Sequence, residues 1–444
     1  DKFKRRGWTH LFNQTPFEDI AMRLLNIFLV VVSLSSCDFP DSNVKAEFIA
    51  PSFLSNYSYS PYMSKDFNGR PLMSWIDKEA DLSLLKYSVW EKGHWSKPVL
   101  VSQGENWLIN RADFPSVVQM SEDTWLAHWL VFTSEEAFAY DVLVSISRDG
   151  GKTWSEGTSP HDDGTISEHG FVSFFKDKDD IGIVWLDGRE MPLGGHHHKP
   201  AQSGYTGGMT LRSAKISADN EYVEGTVIDN LVCDCCQTDI AQLADGPVLV
   251  YRNRTEEEYR DIYFAKMMDG VWQKESPVLE DNWQIGGCPV NGPSVNAVDD
   301  KFFVVWFTQA NGYGEVKFKA FEGNGTSKLA IIDNGNLVMG NVNSSMVSNE
   351  QLAVSWLTAS EEDRILLNLG LIDLKSSSIK KIVIDEFDSN QRLSVPQVVY
   401  SDESLFLSLS KFTDKKNNLY ASKIDISVFD KQVLSDIEWV KDEI

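Results

Sequence analysis

Positive charge is the first thing this sequence is short of. Its 444 residues carry Lys+Arg 41 against Asp+Glu 65, a formal net charge of -24. With no basic stripe to neutralise phosphates, nucleic acid is excluded as a partner. An anionic membrane surface is equally poor as an electrostatic partner. Long apolar runs are also missing, apart from one segment near the start. No stretch of helical periodicity is long enough for a βαβ unit, which argues against a parallel α/β fold. Cysteine is sparse, with five in all. What is abundant is core material: 42% hydrophobic and 11% aromatic residues rule out a disordered chain.

The single apolar run follows Met22 and Arg23 and ends in Leu34-Ser35-Ser36-Cys37. A short basic start and an apolar stretch of this length form a secretory signal. It is too short for a mature transmembrane helix. Its last four residues resemble a bacterial lipobox, which predicts lipidation at Cys37 and a lipid-anchored protein of the cell envelope, facing the periplasm or the cell surface. Residues 1–21 then read as an upstream extension, 22–37 as the signal peptide, 38–45 as a linker and 46–444 as one domain. Without residues 1–37 the balance is 36 basic against 62 acidic residues, so the exported part is still acidic.

One strand pattern ending in an aromatic recurs along the domain. The copies end at Trp75, Trp129, Trp185, Tyr251, Trp306 and Trp356, with a weaker seventh at Leu409. Spacings of 54, 56, 66, 55, 50 and 53 residues leave room for about four short strands per unit. The prediction is an all-β propeller of seven blades, or six if the last copy only closes the ring. Ala46–Phe53 or Gln432–Val440 would complete the final blade.

Ser147-Arg148-Asp149-Gly150-Gly151-Lys152-Thr153-Trp154 matches the Asp-box pattern Ser-x-Asp-x-Gly-x-Thr-Trp, with remnants at Trp90–Trp95 and Met268–Trp272. Asp149 would bond turn amides, Gly151 would take a backbone angle that favours glycine, and Trp154 would pack between blades. On these residues the chain resembles the sialidase-like (BNR) propellers. It further resembles an uncharacterised bacterial subgroup of them, through Glu168-His169-Gly170-Phe171, Trp185-Leu186-Asp187-Gly188-Arg189, Cys233-Asp234-Cys235-Cys236-Gln237-Thr238 and Gly287-Cys288-Pro289-Val290-Asn291-Gly292-Pro293. The resemblance implies the fold, and places the Asp-box turn on the face away from the active site. A sialidase would also need three arginines and a Tyr/Glu pair. No arginine stands between Arg260 and Arg364, and the sequence displays no such Tyr/Glu pair.

Aligning the repeats on their aromatics places Asp113, Glu168, His169 and the cysteines just before innermost strands. Asp187, Arg189, Arg252 and Arg254 fall at the ends of second strands, which return to the same face. Two functions follow from that face. The first is a carbohydrate-active enzyme, of glycoside hydrolase or lyase type, acting on acidic glycans. His169, Glu168, Asp187 and Asp113 would supply acid/base chemistry, and Arg189, Arg252, Arg254 and Arg111 would hold the anionic group. The second is a non-catalytic lipoprotein binding a metal or an envelope partner. Cys233, Cys235, Cys236, Cys288 and His169 would hold zinc or copper. The competing reading of the cysteines is a disulfide from Cys288 to one of the other three. Three further groups are open: His161 with Asp162-Asp163 as a turn or an acid/base site, His196-His197-His198 in a solvated loop, and Glu256-Glu257-Glu258 in a solvated turn.

Overall fold

The computed structural model describes residues 46–440, apart from 136–137, 179, 192–206, 323–324, 413–416 and 437. Cys37 and the His196–His198 loop lie outside the described residues. Seven antiparallel sheets succeed one another along the chain, each running from an inner strand outward. They form a seven-bladed β-propeller. Blade 1 contains Ser58–Lys65, Pro71–Glu79, Leu82–Glu91 and Val99–Gly104. Blade 2 contains Ser116–Gln119, Trp125–Phe132 and Tyr140–Ser147. Blade 3 contains His169–Asp177, Asp180–Asp187, Thr210–Ile216 and Tyr222–Asp229, and blade 4 contains Asp239–Leu243, Gly246–Arg252, Ile262–Met268 and Val271–Pro277. Blades 5, 6 and 7 have inner strands Ser294–Val298, Val338–Ser348 and Gln397–Ser401.

The ring is closed from the front of the domain. Glu47–Phe48 pairs with Asn417–Asp425 and becomes the outer strand of blade 7. The segment after residue 432 does not complete that blade. Ser435–Asp436 adds to the outer strand of blade 6 and Glu438–Val440 to that of blade 5.

The recurring aromatics explain why the sheets stack. Trp75, Trp185, Tyr251, Trp306 and Leu409 are fully buried, and Trp356 and Trp129 nearly so. Each removes a large apolar area from water, but an indole or phenol also carries a polar hydrogen that must find an acceptor. Aspartates supply it in five blades, whereas the indole N–H of Trp129 in blade 2 is buried without a partner. Trp75 donates to Asp77 at 2.9 Å, Trp185 to Asp187 at 2.8 Å, Tyr251 to Asp229 at 2.8 Å, Trp306 to Asp281 at 2.7 Å and Trp356 to Asp333 at 2.8 Å.

The turn after Tyr140–Ser147 is held as its residues foretell. Asp149 Oδ1 accepts from the Lys152 and Thr153 amides at 3.1 and 2.9 Å, and Thr153 Oγ1 donates to Oδ2 at 2.7 Å. These bonds hold the Asp149 carboxyl down at about 2. Gly151 has φ +80°, and a Cβ there would meet the Tyr87 hydroxyl at 2.4 Å. Trp154 packs edge-on against Tyr87 of blade 1. Asp141 is the second residue of this strand and Ser147 the last, so the turn lies on the propeller face opposite Asp141.

Truncating Trp356 to alanine is expected to cost about 3–5 kcal/mol of stability. Trp356→Phe, which keeps most of the ring but strands Asp333 without its donor, is expected to cost about 1–3 kcal/mol. Denaturant unfolding of the two variants checks both values.

Candidate functional site

Strand register builds the site on blade 3. His169 pairs directly with Asp187, and Asp187 with Thr210. Arg189 lies two residues past Asp187, and Arg212 two past Thr210. The Asp187 carboxylate receives Trp185 from below and Arg189 from above, through Nε at 2.8 Å and Nη2 at 2.7 Å. Arg189 also reaches Asp163 at 3.2 Å. Arg212 stands 3.8 Å from Asp187 and 3.5 Å from Glu190.

Blade 2 and the loop into blade 3 complete the cluster. His161 and His169 stack with ring centroids 3.9 Å apart and planes at 16°. Asp163 Oδ2 faces both rings, 3.3 Å from His161 Nδ1 and 3.2 Å from His169 Nε2. Asp141 Oδ1 faces the other edge, 3.2 Å from His169 Nδ1 and 4.0 Å from His161 Nε2. Asp163 is aimed by the Thr165 amide, which donates to its Oδ1 at 2.9 Å. Burial opposes a charge on His169, yet Asp141, Asp187 and Asp163 outweigh it and raise its pKa. Burial and the charge of His169 lower that of His161. Burial would raise the Asp163 carboxyl, but Thr165, His169 and Arg189 hold it down at about 2.

A second acidic group sits on the other side of His169. Asp113 Oδ1 accepts from the Phe171 amide at 2.9 Å, and Tyr140 Oη stands 3.3 Å from Oδ2. Glu168 faces the same hydroxyl, so a Tyr/Glu pair not visible in the sequence is assembled across blades 2 and 3. Burial, then the charges of Asp113 and Glu168, push the Tyr140 hydroxyl well above its ordinary range, so it remains a donor. Gly170 makes room for this contact, since a Cβ there would lie 2.0 Å from Asp113 Oδ2. Burial lifts the Asp113 carboxyl to about 7. Asp113 lines a cavity of about 440 Å³ on the propeller axis, to which every blade contributes one segment. Asp239, in the same wall, is pushed up to about 6 by burial.

The remaining expected residues are placed differently. Arg252 is buried and donates to three backbone carbonyls, of Asn291, Arg260 and Phe307, at 2.9, 2.6 and 2.8 Å. Its guanidinium lies over the Trp283 ring, 4.9 Å from the centroid. It therefore braces blades 4 and 5 and has no face for a substrate. Arg254 is paired with Asp234 at 3.1 Å and Glu258 at 2.5 Å. Glu258 also holds Arg260 at 2.8 Å, so it is an ion-pair hub and not part of a solvated turn. Arg111 stands beside Arg392; partial loss of solvent around its guanidinium, then the charge of Arg392, lowers its pKa.

The cysteines pair off. Cys235 and Cys288 form a disulfide between the loops leading into blades 4 and 5, with Cα atoms 6.2 Å apart. Using a partner from the next blade avoids the strain of a vicinal bridge. Cys233 and Cys236 are buried with Sγ atoms 2.7 Å apart. Burial opposes a Cys233 thiolate, but Cys236, Arg260 and Arg252 bring its pKa down to about 7. His169 does not join them. Both of its ring nitrogens face aspartates, which leaves neither for a thiolate-bound ion.

Tyr140 and Asp141 were the residues sequence reasoning passed over, and Asp163 gained its role only in the fold. The available signal was positional: Asp141 stands at the start of a third strand, as Asp261 does, and so lies on the face to which Asp187 returns.

The chain matches no family model and no curated relative. Its shape is shared with solved carbohydrate-active propellers. An ulvan lyase, a polysaccharide lyase bound to -[GlcA(1-4)Rha3S]-, has a TM-score of 0.50 and 10% identity, covering 86% of this chain and 95% of that one. The α-L-arabinofuranosidase Arb93A from Fusarium graminearum has a TM-score of 0.46 and 14% identity, covering 87% and 99%. The NanB sialidase from Streptococcus pneumoniae has a TM-score of 0.42 and 11% identity, covering 86% and 70%. At these identities what is shared is the fold.

Two stability measurements check the placement of Arg252 and Asp113. Arg252→Lys loses the fork that reaches three carbonyls and is expected to cost about 2 kcal/mol or more. An Asp113 carboxyl at about 7 in the folded chain, above its unfolded range, holds a proton that the unfolded chain releases. Its contribution is present at low pH and lost as pH rises through about 7. Thermal unfolding from pH 5 to 8 should therefore favour Asp113→Asn increasingly over the parent as pH rises. A difference that does not change with pH would contradict the burial argument.

Proposed function

We propose that this protein is a carbohydrate-active enzyme that acts on acidic glycans in its axial cavity, with Asp113 as general acid/base. One observation carries the reading: a carboxyl brought to about 7 stands in the wall of a polar cavity walled by all seven blades. Glycosidic hydrolysis and β-elimination both require a group that can give or take a proton near neutral pH. Burial supplies that pKa here without any bound group. Tyr140 and Glu168 act as positioning residues, because the hydroxyl stays protonated and both are buried behind Asp113.

The preference for acidic sugars rests on the balance of charge around the cavity. Its two wall acids, Asp113 and Asp239, are those that burial drives toward the neutral form. Lys65 stands in the same wall with its side chain exposed. Arg111 and Arg392 approach each other nearby. Near neutral pH Asp239, at about 6, is still largely ionised and offsets Lys65, so attraction for a uronate or sulfate rests on Arg111 and Arg392 and grows as pH falls toward 6. The fold shared with polysaccharide lyases, arabinofuranosidases and sialidases is compatible with this reading. Anchoring through Cys37 to the cell envelope belongs to the same proposal.

A second reading is favoured by the cysteines. The Sγ atoms of Cys233, Cys235 and Cys288 lie within 4.8 Å of one another, so a reduced protein could hold zinc or copper there and serve a non-catalytic, partner-binding role. Thiol counting and elemental analysis of protein purified with and without reductant separate the two states.

The enzymatic reading is tested on a panel of uronate-containing, sulfated and sialylated oligosaccharides. Turnover is expected on at least one class, with a loss of about 10²-fold or more in Asp113→Asn. Lys65→Ala is expected to raise KM more than it lowers kcat. Folded protein that turns over none of the panel, or Asp113→Asn with full activity, would overturn it.

A further inference from the structure

The stacked histidines are used by neither reading, and their surroundings are unusual. His169 is fully buried, yet neither of its ring nitrogens makes a hydrogen bond. His161 Nε2 is buried and unbonded as well. Polar atoms in this position are ordinarily satisfied, and each exception calls for a cause. Asp141 Oδ1 is 4.0 Å from His161 Nε2, beyond hydrogen-bond reach, and 3.2 Å from His169 Nδ1 without hydrogen-bond alignment. Two imidazole nitrogens and a carboxylate oxygen are gathered here without bonding one another, a donor set of the kind that holds an ion.

We infer that Asp141, His161 and His169 form a binding site for a divalent transition-metal ion of the zinc type. The ligand atoms are Asp141 Oδ1, His161 Nε2 and His169 Nδ1, all within 4.8 Å of one another. Separations of 3.2 and 4.0 Å from Asp141 are compatible with one ion about 2.0–2.2 Å from each atom. Two imidazoles and one carboxylate suit zinc and its neighbours better than calcium or magnesium, which take oxygen. Asp141 keeps a third of its side chain exposed, so the remaining coordination positions open toward solvent.

The far side of the rings supports this choice of ligands. Asp163 Oδ2 faces His161 Nδ1 and His169 Nε2, the two nitrogens that point away from Asp141. Asp163 Oδ2 thus stands where it would accept from both imidazoles once an ion reorients them, the arrangement that fixes tautomer and orientation at metal sites. The alternative trio of Asp163, His169 and Asp187 is already occupied by charge. Arg189 lies 3.2 Å from Asp163 and 2.7 Å from Asp187, and would repel a second cation. Ligation in the plane of both rings requires the 16° stack to open. Closing Asp141 and the two rings on the ion would join blade 2 to the loop preceding blade 3.

The test uses the full chain, stripped with chelator and titrated calorimetrically with zinc, then loaded with cobalt(II) for absorption spectroscopy. One equivalent of zinc is expected. Asp141→Asn and His161→Ala should each weaken it about tenfold or more, since even an outer partner of a ligand is worth that much. Asp141 lies at the surface, so its variant keeps the measurement sound if the histidine variant fails to fold. Cobalt should give ligand-field bands without a thiolate-to-metal charge-transfer band, which separates this site from the cysteines. No saturable zinc binding, which would leave a proton as the only occupant of the pair, would overturn the inference. So would undiminished affinity in Asp141→Asn, or a thiolate band in the cobalt spectrum.

Discussion

The structure depends on a bond repeated in five of its seven blades, from a buried aromatic to an aspartate. Stacking twisted sheets around an axis needs a large side chain in each second strand, and tryptophan supplies the area. Its N–H then has to be satisfied where water is absent, so a carboxylate is drawn into the blade interface. A buried carboxylate in turn needs a cation or several donors. In blade 1 Lys86 meets Asp77, in blade 5 Lys317 meets Asp281, and in blade 3 Arg189 meets Asp187. The blade 3 chain does not stop there. It runs from Trp185 through Asp187 and Arg189 to Asp163 and the stacked histidines. The functional cluster grows from the same requirement that holds the other blades together.

Two populations of acids result, separated by what surrounds them. Asp163 and Asp187 have cations and donors to hand, and their pKa values are lowered despite burial. Asp113 and Asp239 face the axis with backbone amides and hydroxyls as their main partners, and desolvation wins, at about 7 and about 6. Acids separated in this way by their environments can divide the work of proton transfer and charge stabilisation. His169 lies between the two populations, with Asp163 and Asp187 on one side and, through Glu168 and Gly170, the Asp113 group on the other.

The periodic part of the fold was legible because it is physical repetition. Six aromatic-ended strands and a seventh weaker copy at near-regular spacing point to a propeller, and the copy at Leu409 is a true blade because a leucine fills the same space without needing an acceptor. Register arithmetic also placed Asp113, Glu168, His169, Asp187 and Arg189 on one face, since a strand returns its end to the face its neighbour leaves. The arithmetic could not reveal direction within that face. Arg252 alternates with Arg254 and lies on the same strand side, but its fork turns into the interface with blade 5, toward carbonyls that no motif marks. Tyr140 and Asp141 were missed because their partners are 28 residues away in another blade, at Glu168 and His169. Pairing between Cys235 and Cys288 likewise depends on the distance between two loops, which sequence spacing does not encode.

Two joins of the ring, between blades 2 and 3 and between blades 4 and 5, are secured by different chemistry. Between blades 4 and 5 a disulfide and a buried guanidinium do the work. The disulfide is covalent and Arg252 meets neutral carbonyls and an aromatic face, while Asp239 of blade 4 adds bonds from the Ser294 hydroxyl and the Val295 amide of blade 5. Between blades 2 and 3 the contact is ionic: Asp141, Asp163 and the two histidines meet across the boundary. Such a contact responds to protons or to a cation, because its strength depends on the charge the imidazoles carry. The groups turned toward the cavity, Asp113 above all, are attached to blades 2 and 3 through Phe171 and Tyr140. Gly170 alone separates His169 from Phe171, whose amide donates to Asp113, so the ionic contact and the axial carboxyl share one short stretch of chain. The site lies where the ring is fastened mainly by ion pairs, whereas the join of blades 4 and 5 adds a covalent bond to its carboxylate contacts.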